Sequence, residues 1–193
     1  DKIKSYGDTL YDCLKNRTTI DPITEQESDV TIEDAYHISL QLLQRRLDDG
    51  EKVIGKKIGV TSKAVQNMLN VHQPDFGFLT DRMVYSHGDE LPISTDMIQP
   101  KAEGEIAFIL KHDLSGPGVT NADVLRATEC VMPCFEIVDS RIKDWKIKIQ
   151  DTVADNASCG LFVLGDKAVR PDKVDLVTCG MVHEKNGEVI ATG

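Results

Sequence analysis

No run of apolar residues in this sequence approaches the ~20 that a bilayer-spanning helix requires. The N-terminus, Asp1-Lys2-Ile3-Lys4, also lacks the apolar segment of a secretory leader. The expectation is a cytoplasmic chain with no membrane partner. Basic residues are in the minority, 22 Lys and Arg against 32 Asp and Glu, for a net charge of −10. No basic stripe stands out, and nucleic-acid binding draws most of its affinity from one, so that class of partner is excluded. An anionic substrate then needs a few locally placed cations or a metal ion. The five cysteines (Cys13, Cys130, Cys134, Cys159 and Cys179) are odd in number and include no C-x-x-C pair. Pro133 interrupts the Cys130–Cys134 spacing and no second ligand pair accompanies it, which argues against zinc. Reduced, mostly buried thiols are expected. The five histidines (His37, His72, His87, His112 and His183) are scattered without ligand spacing. The single tryptophan, Trp145, is expected in packing.

What is present is ordered as helices followed by strands. The length, 193 residues, suits one domain or one domain with a helical appendage, and is enough to bury a substantial core. Helices are expected over 3–16 and 32–49, the second capped by Thr31 with Asp34 at the capping-box position, ending at Gly50. A polar connector with Pro22 separates them. Residues 53–60 read as a strand whose glycines mark bends or a close backbone approach. Ser62 is placed to cap a short helix over 63–69, and Gln73-Pro74-Asp75-Phe76-Gly77 has turn chemistry. Strands follow near 83–85, 103–110, 134–139 and 160–164, with a helix over 121–130. Strands over 177–184 and 188–192 flank Lys185-Asn186-Gly187, a strong hairpin signal. This divides the chain into an N-terminal helical unit, 1–52, and a β-rich core, 53–193, that is expected to continue beyond Gly193, since the last strand pattern has nothing after it.

The chemistry concentrates in Pro100-Lys101-Ala102-Glu103-Gly104-Glu105-Ile106-Ala107-Phe108. Side chains alternate along a strand, so Glu103 and Glu105 project from one face. Two like charges there call for a counterion, and a hard divalent cation prefers carboxylate oxygen. The competing reading is a pair of solvated glutamates on an exposed sheet. Glu136, between Phe135 and Ile137, is costly to bury unless it meets a cation. Three carboxylates on two strands supply half an octahedral shell and leave positions open for water and a chelating substrate.

Five ordered blocks carry a resemblance: G-K-K-I-G-V-T-S from Gly55, Q-P-D-F-G from Gln73, Q-P-K-A-E-G-E-I-A-F from Gln99, F-E-I-V-D-S-R from Phe135 and V-A-D-N-A-S-C-G from Val153. The chain resembles the 2-hydroxypenta-2,4-dienoate hydratases (2-oxopent-4-enoate hydratases) of catechol meta-cleavage, within the fumarylacetoacetate hydrolase superfamily. The resemblance implies an α+β fold in which N-terminal helices precede a mixed β-sandwich or rolled β-barrel core, with its C-terminal part absent. It implies Mg²⁺ or Mn²⁺ at Glu103, Glu105 and Glu136; Gly104 stands where relatives often have alanine. It implies water addition to the dienoate to give 4-hydroxy-2-oxopentanoate, with Asp75 as acid/base and Lys57 as its partner or as a carboxylate contact. Against these roles stand a turn-forming Asp75, an exposed strand Lys57 and the adjacent Lys56. Asn156 and Ser158 become candidate donors to the substrate carboxylate, against a structural loop. Arg141 is set between that role and a salt bridge to Asp139 or Asp144. The resemblance implies a homo-oligomer and a complex with 4-oxalocrotonate decarboxylase as partnerships. The decarboxylase activity itself, and a non-catalytic scaffold subunit, are the competing functions; Asp75 favours the hydratase over the first and the retained carboxylates oppose the second.

Overall fold

The computed structural model describes residues 2–193, a mixed α/β arrangement of helices and several sheets. In chain order the elements are α1 (Lys2–Asn16), α2 (Ile23–Gln26), α3 (Ile32–Asp48), β1 (Val53–Gly59), α4 (Lys63–Leu69), β2 (Asp75–Thr80), β3 (Val84–Ser86), α5 (Ile93–Asp96), β4 (Lys101–Leu110), α6 (Asn121–Ala127), β5 (Thr128–Val138), α7 (Ile149–Ala154), β6 (Leu161–Leu164), β7 (Val182–Lys185) and β8 (Glu188–Thr192). The described residues form two compact units. One takes the chain through Val84, then Glu90–Lys101 and Ile137–Leu161; the other takes Tyr85–Asp89, Ala102–Glu136 and Phe162–Gly193. No helix among the described residues is long and apolar enough to cross a membrane.

The first unit is built on an apolar core of Leu10 and Tyr11 from α1, Ile23 from α2, Ala35, Ile38 and Leu42 from α3, Ile142, and Ile149, Val153 and Ala154 of α7. The stripe on α3 follows its 3.6-residue period. Its start is a reciprocal cap: the Thr31 hydroxyl accepts from the Asp34 N–H, and the Asp34 carboxylate accepts from the Thr31 N–H at 3.0 Å. Ser62 caps α4 through the Val65 N–H at 3.2 Å. Helix α7 has no counterpart in the sequence reading. It is short, and Asp151 fixes it by accepting from the Lys148 N–H at 2.9 Å and from the Thr24 N–H and hydroxyl at 3.0 and 2.7 Å. The Thr24 contacts, 127 positions away in the chain, leave no local signature.

Strands β1 and β2 pair antiparallel, with Lys57 opposite Gly77, Ile58 opposite Phe76 and Gly59 opposite Asp75. The turn expected over 73–77 therefore ends earlier, because Asp75, Phe76 and Gly77 already belong to β2. Phe76 stacks on Tyr36 of α3 at 4.7 Å, and this packing outweighs the local turn preference.

In the second unit the four-stranded sheet has the order β3-β6-β5-β4, and β7 and β8 form a separate hairpin. The helix expected over 121–130 stops at Ala127, and β5 begins at Thr128 rather than near 134. Val131 exchanges backbone hydrogen bonds with Val169 at 2.8 and 2.9 Å, a non-local pairing that captures the segment as strand. The hairpin turn is as the sequence suggests, with Asn186 and Gly187 both left-handed (φ 54° and 83°). Strand β7 is shorter than expected. Asp175 accepts from the Val177 N–H and the Thr178 hydroxyl and holds the preceding residues in a turn.

Candidate metal centre and acid–base residues

In the second unit, strand alternation puts Glu103 and Glu105 on one face of β4, and neighbouring β5 supplies Glu136. One carboxylate oxygen from each of the three lies within 4.8 Å of the others. Oxygens around an octahedral Mg²⁺ at about 2.1 Å are about 3.0 Å apart when adjacent and about 4.2 Å apart when opposite. The spread is therefore of the size a shared divalent ion would set, and the all-oxygen donor set suits a hard cation. Glu136 is 7% exposed while Glu103 and Glu105 are exposed, so the cluster is anchored on a buried side and open on the other. Burial, with the charges of Glu105 and Glu136, pushes the Cys134 thiol up to about 11, so it stays protonated at neutral pH. All five cysteines are free, but only Cys13 and Cys159 are buried; Cys130 and Cys134 are partly buried and Cys179 is exposed.

In the first unit, Lys57, Gly59, Asp75 and Gly77 share a face of the β1–β2 ribbon, through the register and the two-residue period. The glycines make that face usable. A Cβ at Gly59 would collide with Asp75 Oδ1, and one at Gly77 would lie 2.5 Å from the Asn156 carbonyl oxygen. Asp75 is 4% exposed, and neither carboxylate oxygen has a side-chain hydrogen-bond partner among the described residues. Burial raises its pKa above the ordinary carboxylate value; Lys57 nearby, then the N–H groups of Asp75 and Gly59, pull the other way. Lys57 Nζ donates to the Ala157 carbonyl at 2.8 Å.

That carbonyl belongs to a turn with three consecutive left-handed residues, Asn156, Ala157 and Ser158 (φ 54°, 53° and 55°). Without glycine such a conformation costs roughly 1–2 kcal/mol per residue, so its surroundings must impose it. Arg141 does much of this. Its side chain is buried and donates to the Asp155 carboxylate at 2.5 Å, to the Asp155 carbonyl at 2.6 Å and to the Cys159 carbonyl at 3.0 Å. Burial pushes the Asp155 carboxyl up to about 6, while the charge and hydrogen bonds of Arg141 oppose the rise. The expected partners Asp139 and Asp144 are thus replaced by Asp155. Asp139 instead accepts from the N–H groups of Ile98 and Gln99 at 2.9 and 2.7 Å.

Asn156 accepts from the Phe78 N–H at 2.7 Å and donates to the Phe78 carbonyl at 3.0 Å, so its amide is engaged with β2. Ser158 is 3% exposed, and its hydroxyl has no partner among the described residues. The fold thus gathers Lys57, Asp75, Asn156 and Ser158 in one unit and the three glutamates in the other. Trp145 is held structurally, donating from its indole to the Gln99 carbonyl at 3.0 Å with Lys101 over its ring. Asp155 and the Ala157 carbonyl escaped sequence reasoning. Asp155 lies inside the V-A-D-N-A-S block but shows no local pattern, and a carbonyl group has no residue-type signal at all.

No protein-family model matches the chain. Among curated proteins, a 2-hydroxypent-2,4-dienoate hydratase of Pseudomonas putida is 72% identical over 191 residues, which is 99% of this chain and 86% of that protein. A 2-hydroxyhexa-2,4-dienoate hydratase of Comamonas testosteroni is 60% identical over 192 residues, 99% of this chain and 73% of the relative. Among solved structures, the 4-oxalocrotonate decarboxylase of Pseudomonas putida G7 complexed with magnesium and adipate aligns with a TM-score of 0.94 at 34% identity, covering 100% of this chain and 73% of that one. The same enzyme with calcium and acetate aligns at 0.92, again at 34% identity, covering 100% and 72%.

Proposed function

The chain belongs to the family of 2-hydroxypenta-2,4-dienoate hydratases, which are hydro-lyases, and on that premise we propose a division of labour between carboxylates that hold a divalent cation and a Lys–Asp pair that moves protons. The observation that carries the proposal is the convergence of Glu103, Glu105 and Glu136 to within 4.8 Å. Magnesium or manganese is the proposed occupant, supported by the oxygen-only donors and by the magnesium and calcium bound in the decarboxylase neighbours. When bound, such a cation supplies Lewis-acid chemistry toward the adjacent carboxylate and 2-oxo oxygens of the substrate.

The remaining work falls to side chains of this chain. The reaction adds a proton at C5 as the 2-hydroxyl loses one, then adds water at C4, and C3 takes a proton to give 4-hydroxy-2-oxopentanoate. Asp75 is suited to give and take protons, because its burial moves its titration toward the working pH. Lys57, anchored on the Ala157 carbonyl, places a positive charge beside it. Ser158 has a buried hydroxyl free to donate to the substrate carboxylate, whereas the amide of Asn156 is already used on β2.

Three further proposals rest on the family resemblance: a rolled β-sandwich or barrel as the full core, a homo-oligomer that pairs with 4-oxalocrotonate decarboxylase, and action in the cytoplasm on a meta-cleavage product. The decarboxylase activity is not favoured, since the hydratase relative shares 72% identity and the decarboxylase 34%. The test is purified protein, Mg²⁺ and freshly generated 2-hydroxypenta-2,4-dienoate, with the dienoate absorbance followed. Metal-dependent decay with formation of 4-hydroxy-2-oxopentanoate is expected. An absorbance unaffected by enzyme and metal rejects the hydratase, and carbon dioxide release from 4-oxalocrotonate would put decarboxylation in its place.

A further inference from the structure

The amide of Asn156 meets both backbone groups of a single β2 residue, Phe78, and so occupies the edge of β2 as a one-residue strand would. The turn it belongs to is held at both ends as well. The Ser158 N–H donates to the Asp155 carbonyl at 3.0 Å, the Cys159 N–H to the Asn156 carbonyl at 3.1 Å, and the Asp139 N–H to the Ser158 carbonyl at 2.9 Å. Within this frame the Ala157 carbonyl is turned to Lys57 Nζ. The side chain of Asn156 and the carbonyl that receives the lysine thus belong to adjacent residues of one held turn.

We propose that Asn156 is a positioning residue, which clamps the left-handed turn onto β2 and so sets the carbonyl that holds Lys57 beside Asp75. This rests on the reading of Lys57 and Asp75 as the proton-moving pair. It differs from a substrate contact in what it predicts. A lost contact to the carboxylate of bound substrate would weaken binding and raise KM. A displaced lysine alters the transition state and lowers kcat, because small misplacements of a reacting group are expensive. It also moves the pH limb of kcat that reports the pair. The titratable groups near that pair are Lys57 on β1, Asp75 on β2, Tyr36 on α3 and Cys159 after the turn.

The variant Asn156→Gly keeps a backbone that tolerates the left-handed conformation and removes only the clamp. Expected are a fall in kcat of roughly ten- to hundred-fold, a KM within about two-fold, and a shifted pH limb. Repeated in a Lys57→Met background, the same change is expected to cost almost nothing, since its effect travels through the lysine. Asn156→Asp, which keeps the acceptor for the Phe78 N–H but sets an oxygen against the Phe78 carbonyl, is expected to fall between. A raised KM with unchanged kcat, or an equal loss in the Lys57→Met background, overturns the proposal. If Lys57→Met itself turns over at the wild-type rate, the parent reading has failed instead. Should the Asn156 variants not fold, the wild-type protein decides by NMR: the Asn156 side-chain amide protons are expected to stay protected and unshifted when Mg²⁺ and 2-oxopentanoate are added. Their transfer to the ligand overturns the proposal.

Discussion

The two units treat their charged groups in opposite ways. In the first, Asp75 is 4% exposed and sits on a ribbon face lined with glycines, next to a strained turn. In the second, two of three gathered carboxylates are exposed, and apolar side chains such as Phe108, Val189 and Ile190 are also open, at 41%, 58% and 56%. The difference follows from the work proposed for each. A group that moves protons near neutral pH gains from desolvation, which shifts its titration. A hard cation needs charge of opposite sign and open positions, and full burial of its ligands would work against both. The first arrangement demands a dense, over-determined frame; the second needs little beyond two adjacent strands.

The sharpest way to break this contrast is Glu105→Gln. Metal affinity and turnover are expected to fall together, by more than the roughly 100-fold seen when a residue merely supports a ligand. Calorimetry with Mg²⁺ alongside the dienoate assay reads both, and unchanged affinity removes Glu105 from the ligand set. Asp75→Asn tests the other unit. Turnover is expected to drop by about 10²–10⁴ with Mg²⁺ affinity intact.

The same substitution is expected to raise the melting temperature at pH 7–8. Because burial raises the Asp75 value above its unfolded one, the native state keeps the proton to higher pH, and ionising it there costs stability. The gain over wild type should shrink as pH falls toward the ordinary carboxylate range; a gain that grows on acidification reverses the sign of the argument.

Smaller in its catalytic meaning, Asp155→Asn leaves Arg141 buried without its counter-charge. A loss of about 3–5 kcal/mol in urea unfolding is expected, with Mg²⁺ affinity retained. A neutral outcome would mean that the turn is held by other means. At the end of the range, Ile190→Thr on the open hairpin is expected to change stability by no more than about 0.5 kcal/mol. A much larger loss, measured in the same way, would show that this face is covered in solution.

Local signals carried much of the fold. Thr31 with Asp34, Ser62 before α4, and Asn186-Gly187 at the hairpin each act within a few residues, so they are legible without knowing what packs where. Partner choice was less so. Arg141 has two acidic neighbours in sequence, Asp139 and Asp144, yet bonds Asp155, because buried geometry rather than proximity along the chain selects the partner. Asp75 looked like a turn residue because its strand partner, Gly59, is distant in sequence. The start of β5 was hidden for the same reason, its pairing with Val169 being non-local.

By itself the sequence determined the helical and strand periodicity, the caps, and the projection of Glu103 and Glu105 from one face, since each depends on backbone geometry over a few residues. Family membership also followed from it, through five blocks in order. Tertiary structure alone decided that the Asn156 amide meets Phe78 rather than solvent and that Ala157 offers its carbonyl to Lys57. Those contacts join residues up to 100 positions apart, and only a folded core can hold them against the entropy of the chain between.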